Sequence, residues 1–145
     1  MKVRFAAAFV GATLPLAGFA QTGQDLLNDG KTPEDVLTYG MGYSQHRYSP
    51  LTQINQTTVK RLVPAWSYSM ADNRGLEAQP LVKDGVIYLT DHQKTVAVDA
   101  LTGKEIWKAI IEYAPETTRV VCCGIVNRGG ALFDGKFYRT TLDAR

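Results

Sequence analysis

The sequence predicts an all-β chain, a partial β-propeller, and a repeat carries that reading. Pro80 to Thr90 (PLVKDGVIYLT) reads as a strand, an Asp-Gly turn and a second strand, since Asp-Gly between apolar runs is a strong hairpin signal. Fifty positions on, Gly130 to Thr140 (GALFDGKFYRT) repeats it, with Asp84 matching Asp134, Gly85 matching Gly135, Tyr88 matching Tyr138 and Thr90 matching Thr140. Between them, Val96 to Trp107 (VAVDALTGKEIW) reads as a third strand, a Thr-Gly turn and a fourth strand ending in tryptophan. One unit thus holds four short antiparallel strands in about 50 residues, the size of a propeller blade.

Taken in order, residues 1–20 read as a signal peptide. Lys2 and Arg4 give a positive start, Phe5 to Leu16 is apolar, and Gly18-Phe19-Ala20 sets small residues at a cleavage site after Ala20. The competing membrane anchor is disfavoured, because the run falls short of the ~20 residues a span needs and Pro15 interrupts it. Residues 21–64 form an irregular segment with short helices. Gln24 to Asn28 is a short amphipathic turn, Lys31 to Asp35 a polar connector, and Tyr39 to Ser49 an irregular surface stretch. Asn55 is placed to cap a short helix running through Val59 and Leu62 and ending before Pro64. Residues 65–145 hold the first blades, beginning with Ala65 to Ser69, which alternates in the strand manner.

Composition is that of a soluble globular protein, 45% hydrophobic and 21% charged. Without Lys2 and Arg4, 14 basic residues stand against 14 acidic ones, so nothing marks a nucleic-acid footprint. Export to an oxidising compartment favours bonded cysteines.

The chemistry concentrates in Val121 to Gly130 (VCCGIVNRGG), which holds the only two cysteines, side by side. Neighbouring Cα atoms sit about 3.8 Å apart, below the roughly 4.4–6.8 Å of ordinary disulfides. Cys122 and Cys123 therefore either close a small strained ring, a feature of functional sites, or remain two buried thiols acting as small hydrophobes. The repeat register adds a second group: Glu77 precedes Pro80 as Asn127 precedes Gly130, so Glu77 and Asn127-Arg128 lead into the first strands of successive blades. Innermost strands line a propeller's channel, so these positions should converge, and Arg128 offers a fork of donors to an anionic, planar ligand. His46 and His92 lack metal-ligand spacing and read as surface or loop histidines. Arg74 and Gly75 read as shaping a turn, and Trp66 and Trp107 as packing between blades.

Cys122-Cys123 with Val126-Asn127-Arg128-Gly129 resembles the signature of the quinoprotein alcohol dehydrogenases, which use pyrroloquinoline quinone (PQQ) and Ca²⁺. Arg47 to Leu51 (RYSPL), Val63 to Ser69 (VPAWSYS) and Glu77 to Val82 (EAQPLV) extend the match over most of the chain after about Tyr39. Ala97-x-Asp99-x-x-Thr102-Gly103-x-x-x-Trp107 resembles the tryptophan docking motif that pins neighbouring blades in these propellers. The resemblance implies about one and a half blades of an eight-bladed quinoprotein propeller. It implies a Cys122–Cys123 disulfide lying against the PQQ ring, with Arg128 contacting the quinone oxygens and Glu77 a further cofactor contact. The Ca²⁺ ligands and the catalytic base fall, by resemblance, downstream of Arg145, so no residue here is assigned to metal binding or catalysis. The expected whole protein is a periplasmic PQQ- and Ca²⁺-dependent alcohol dehydrogenase with no stable membrane span. It would oxidise small primary alcohols to aldehydes by hydride transfer to PQQ and pass electrons to a c-type cytochrome, while this fragment alone would be inactive. Two alternatives stand beside it. A non-enzymatic quinoprotein-like propeller scaffold would share the Thr-Gly…Trp repeats without needing Cys122, Cys123 or Arg128, and an inactive truncated fragment would keep cofactor-contact residues without catalytic ones.

Overall fold

A computed structural model describes residues 21–72, 74–122 and 124–145. The expected signal peptide lies outside these. Four strands form an antiparallel meander in the order β1 (Leu81–Lys83), β2 (Val86–Thr90), β3 (Lys94–Asp99) and β4 (Glu105–Ile110). A second sheet holds β5 (Ala131–Phe133) and β6 (Lys136–Tyr138). The two hairpins share a register: Leu81 faces Tyr88 and Lys83 faces Val86, as Ala131 faces Tyr138 and Phe133 faces Lys136. Both close on Asp-Gly turns with left-handed central residues, φ 49° and 75° at Asp84 and Gly85 and 49° and 68° at Asp134 and Gly135. That turn matches the natural strand twist and admits little else than Asn, Asp and Gly.

The repeat conceals a change of face. The second hairpin buries Leu132, the equivalent of Val82, where the first buries Leu81. A shift of one residue along a strand reverses the face, so the two hairpins present their apolar sides to each other. Leu81 and Leu132 meet there with Leu37, and the Tyr88 and Phe137 rings stack with centroids 5.7 Å apart.

The segment before the blades is anchored more firmly than its polar composition suggests. Helix α1 (Gly23–Leu27) starts on a capping box between Thr22 and Asp25 and sends Leu26 into the same cluster. Lys31 to Asp35, expected as a plain connector, ends in a clamp. Asp35 is buried; its Oδ2 lies 2.8 Å from Lys83 Nζ and its Oδ1 accepts from the Asp84 N–H. Val36 then pairs with Val82 at the free edge of β1. Asp29, also buried, accepts from the N–H groups of Leu37 and Thr38 and from the Thr38 hydroxyl. Asn55 accepts from Thr57 N and Thr58 N and so holds the turn before the helix rather than capping it: the helix is a single 3-10 turn, Val59–Arg61, that begins at Thr58 without a side-chain cap and is shorter than the one expected through Leu62.

Ala65 to Ser69 keeps its period of two yet joins no ladder. Trp66 and Tyr68 are half-buried and Ala65, Ser67 and Ser69 exposed, while no backbone–backbone hydrogen bond ties 65–69 to the described residues. Its apolar side lies on the sheet, where Trp66, Tyr68 and Met70 pack with Val96 and Val98. The expected strand is therefore an extended segment laid over β3. Trp66 Nε1 donates to the Ala100 carbonyl at 3.0 Å, and the indole covers Gly103 so closely that a Cβ there would come within 2.5 Å of Cδ2. Trp66 thus docks on the Thr-Gly turn of this blade. Trp107, at the end of the motif itself, remains 39% exposed.

Candidate functional site

Two long segments meet at one end of the blade: residues 70–80, leading into β1, and residues 111–130, joining β4 to β5. Glu77 Oε2 lies 3.3 Å from Arg128 Nη2, so the two positions picked out by the repeat register stand together. Their side chains are 45% and 80% exposed. An exposed pair of this kind stabilises a fold by only ~0–1 kcal/mol, and it leaves most guanidinium donors facing solvent.

The backbone around both groups is fixed. Asn127 Oδ1 accepts from the Gly129 N–H at 2.9 Å, and its Nδ2 donates to the Thr140 carbonyl at 3.3 Å. Gly129 itself sits at φ 119°, outside the range L side chains favour. On the other side, Gln79 accepts from Gly40 N and donates to Thr38 O, tying the Glu77 segment to the anchored N-terminal stretch. Cys122 is exposed and follows the single helical turn α2 (Thr117–Val120). Cys123, and with it the expected Cys122–Cys123 disulfide, lies outside the described residues. Beside Arg128 opens a cleft of about 250 Å³, lined in part by His92, Tyr113, Asn127 and Thr140.

His92 corrects the sequence reading. It sits in the β2–β3 turn, but it is 5% exposed and its Nδ1 lies 2.9 Å from Asp72 Oδ2. Asp72 in turn accepts from Arg74 N at 2.9 Å and Nε at 3.0 Å, and these donors pull its carboxyl down to about 2. Arg74 therefore does more than shape a turn. The ligand atoms of Asp72, Asp91 and His92 lie within 4.8 Å of one another. Arg74 already engages Asp72, however, and Lys94 Nζ lies 3.3 Å from Asp91 Oδ2, so the group is an ion-pair network with its own cations. Spacing could not reveal it, because Asp72 stands twenty positions before His92. The one local signal was a histidine lodged between two apolar strands.

The profile described as "Glucose/ethanol/alcohol dehydrogenase, beta-propeller domain" (PQQ) matches residues 37–142. The chain belongs to this PQQ family. Its fold is accordingly a partial propeller, with two sheets that do not close. It is 47% identical over 131 residues to the quinoprotein alcohol dehydrogenase PedE of Pseudomonas putida, covering 88% of this chain and 20% of that protein. The 1-butanol dehydrogenase (quinone) of Thauera butanivorans is 46% identical over 136 residues, 91% of this chain and 22% of the relative. Among solved structures, the quinohemoprotein alcohol dehydrogenase of Comamonas testosteroni superposes with a TM-score of 0.76 at 40% identity, covering 83% of this chain and 18% of that one. A europium-containing methanol dehydrogenase gives 0.73 at 32% identity, over 81% of this chain and 21% of that one. The chain spans about a fifth of the length of these relatives. Among the described residues no helix is long and apolar enough to cross a membrane.

Proposed function

We propose that these residues form part of an exported PQQ-dependent alcohol dehydrogenase that oxidises primary alcohols to aldehydes, and that they supply one wall of its cofactor site. The observation that carries this reading is the 3.3 Å approach of Arg128 and Glu77, brought together from the leading ends of successive blades. The donor set suits the group. PQQ is a flat, carboxylate-bearing quinone, and Arg128 presents a guanidinium that is 80% exposed and faces a single acidic partner.

When bound, PQQ supplies a two-electron oxidant for the alcohol. Arg128 offers charged N–H donors that favour negative charge on the cofactor's oxygens, an electrostatic role. Glu77 keeps the guanidinium from swinging freely and adds an acceptor at the same edge. Asn127, through Gly129 N and Thr140 O, fixes the backbone from which Arg128 projects. Cys122 and Cys123, as a disulfide, would give the ring a flat, polarizable neighbour. A Ca²⁺ ion held by residues outside this chain, delivery of electrons to a c-type cytochrome, and a periplasmic location complete the proposal.

The test is Arg128→Ala in the full-length protein. Loss of charge-assisted hydrogen bonds worth ~1.5–3 kcal/mol should weaken PQQ binding about 10- to 100-fold, with Arg128→Lys falling between. Titration of the cofactor-free protein measures this directly. An unchanged dissociation constant would overturn the assignment of Arg128, and a wild-type protein that binds no PQQ would overturn the function.

A further inference from the structure

The turn that holds His92 stands at the same end of the blade as Glu77 and Arg128, because β2 runs antiparallel to β1 and ends beside the residues leading into it. Three separate segments are tied to this turn. Through its imidazole, His92 meets Asp72 at 2.9 Å, and Asp72 clamps Arg74, three residues before Glu77. Through its carbonyl, His92 accepts from the Tyr113 hydroxyl, near the start of the segment that carries Cys122 and Arg128. The same carbonyl accepts from Arg139 Nη2 at 2.7 Å, and Arg139 Nη1 donates to Lys94 O at 2.6 Å. The residue after Arg139 supplies the Thr140 carbonyl that receives Asn127 Nδ2. His92 also borders the cleft beside Arg128.

We infer that His92 is a positioning residue for the cofactor wall: its imidazole, acting through Asp72, sets the Glu77 segment against the segment that carries Arg128. The inference rests on the proposed PQQ site. Its logic is geometric. The carbonyl links survive any side-chain substitution, so replacing His92 severs the hydrogen-bonded link to the Glu77 segment and a tilted ring contact with Tyr113, 6.4 Å between centroids, while the Tyr113 and Arg139 hydrogen bonds remain. Arg128 would keep its own backbone supports while Glu77 loses its register; outer-shell partners of metal ligands cost about 10- to 100-fold in affinity when removed, and a positioning residue one contact away from the cofactor is expected at the lower end of that scale. The surrounding charges do not substitute for the imidazole: Lys94 faces Asp91 and the Met70 carbonyl, and Arg74 is already committed to Asp72.

The experiment uses the full-length protein in cofactor-free form, titrated with PQQ, with thermal melting recorded in parallel. His92→Ala should raise the PQQ dissociation constant about tenfold. His92→Asn, whose amide nitrogen stands where Nδ1 stood, should restore most of the affinity. Asp72→Ala, which also frees Arg74, should lose at least as much, and the double variant should lose little more than Asp72→Ala alone, as expected of two residues acting through one contact. A purely structural role would lower the melting temperature of His92→Ala while leaving PQQ affinity of the folded protein unchanged, and that result overturns the inference. So does strict additivity of the two substitutions, or an Asn variant that melts normally yet binds as poorly as Ala. If His92→Ala does not fold, Asp72→Ala, which leaves the imidazole in place, decides on the same titration. A wild-type protein that fails to bind PQQ overturns the site itself and this inference with it, an outcome distinct from a defect confined to His92.

Discussion

Gly103→Ala examines the docking of Trp66 on the Thr-Gly turn, the contact that seats the indole beside Val96 and Val98. Gly103 sits at φ 69°, and a Cβ built there falls 2.5 Å from Cδ2, 2.6 Å from Cε3 and 2.8 Å from Cγ of Trp66. Gly85 provides the control, with a similar φ of 75° and nothing within 4 Å of its would-be Cβ. Both alanines therefore carry the left-handed strain of ~1–2 kcal/mol. Only the first must also push the indole away. That displaces a ring packed with Val96 and Val98 and breaks the 3.0 Å bond from Nε1 to Ala100 O. Overpacking costs ~1–3 kcal/mol and the hydrogen bond ~0.5–1.5 kcal/mol, so Gly103→Ala should destabilise by about 1.5–4.5 kcal/mol more than Gly85→Ala. The assay is the urea midpoint of each full-length variant at unchanged slope, repeated in a Trp66→Ala background. With the indole gone, Gly103→Ala should cost no more than Gly85→Ala. Equal shifts for the two glycines in the wild-type background would refute the docking.

Asp29→Ala removes one buried carboxylate that satisfies Leu37 N, Thr38 N and the Thr38 hydroxyl; stranding these donors should cost ~2–4 kcal/mol, read as a lower urea midpoint. Asp72 is held at about 2, against an ordinary 3.8, first by the Arg74 N–H and then by its side chain. A depressed carboxyl contributes stability that is whole above its unfolded value and is lost as pH falls through its folded one. Acid titration should therefore show a loss between about pH 4 and pH 2 that is shallower in Asp72→Asn. Ala65 to Ser69 has strand alternation without a ladder among the described residues, so its amides should be protected from hydrogen exchange in the full-length protein by a strand from outside residues 1–145. Exchange at free-peptide rates would refute that pairing.

Local chemistry made the hairpins legible. Asp84-Gly85 and Asp134-Gly135 demand a left-handed turn whatever surrounds them, and their spacing set the blade length and placed Glu77 opposite Arg128. What stayed hidden depended on partners distant in sequence. Asp35 reads as a solvated connector residue until it is seen to clamp Asp84 N and Lys83 across 48 positions or more. Trp107 ends the motif, but which indole the motif's own turn receives is not written locally: it is Trp66, 37 residues before Gly103. His92 falls in the same class, since nothing local marks Asp72 as its partner. At Ala65 to Ser69 the period was legible and the partner was not, because alternation reports which side is buried and is silent on what lies along the edge.

The two ends of the blade divide the work. At one end the hairpins close on two residues each, and the N-terminal segment supplies an acceptor to the equivalent amide of both turns: Asp35 Oδ1 to Asp84 N, and the Gln21 carbonyl to Asp134 N. Gln21 Oε1 also accepts from Gly135 N. That end is short, clamped and carries none of the candidate ligand contacts. At the other end, beside the short β2–β3 turn, two long segments carry Glu77, Cys122 and Arg128. Loops can diverge in chemistry only if the scaffold beneath them does not move, and here the clamp lies at the far end of the same strands. Damage at Asp35 or Gln21 should therefore loosen the blade as a unit, lowering stability without selectively separating Glu77 from Arg128. Damage at His92 or Asp72 acts on the loops directly and should separate that pair while the hairpins keep their register.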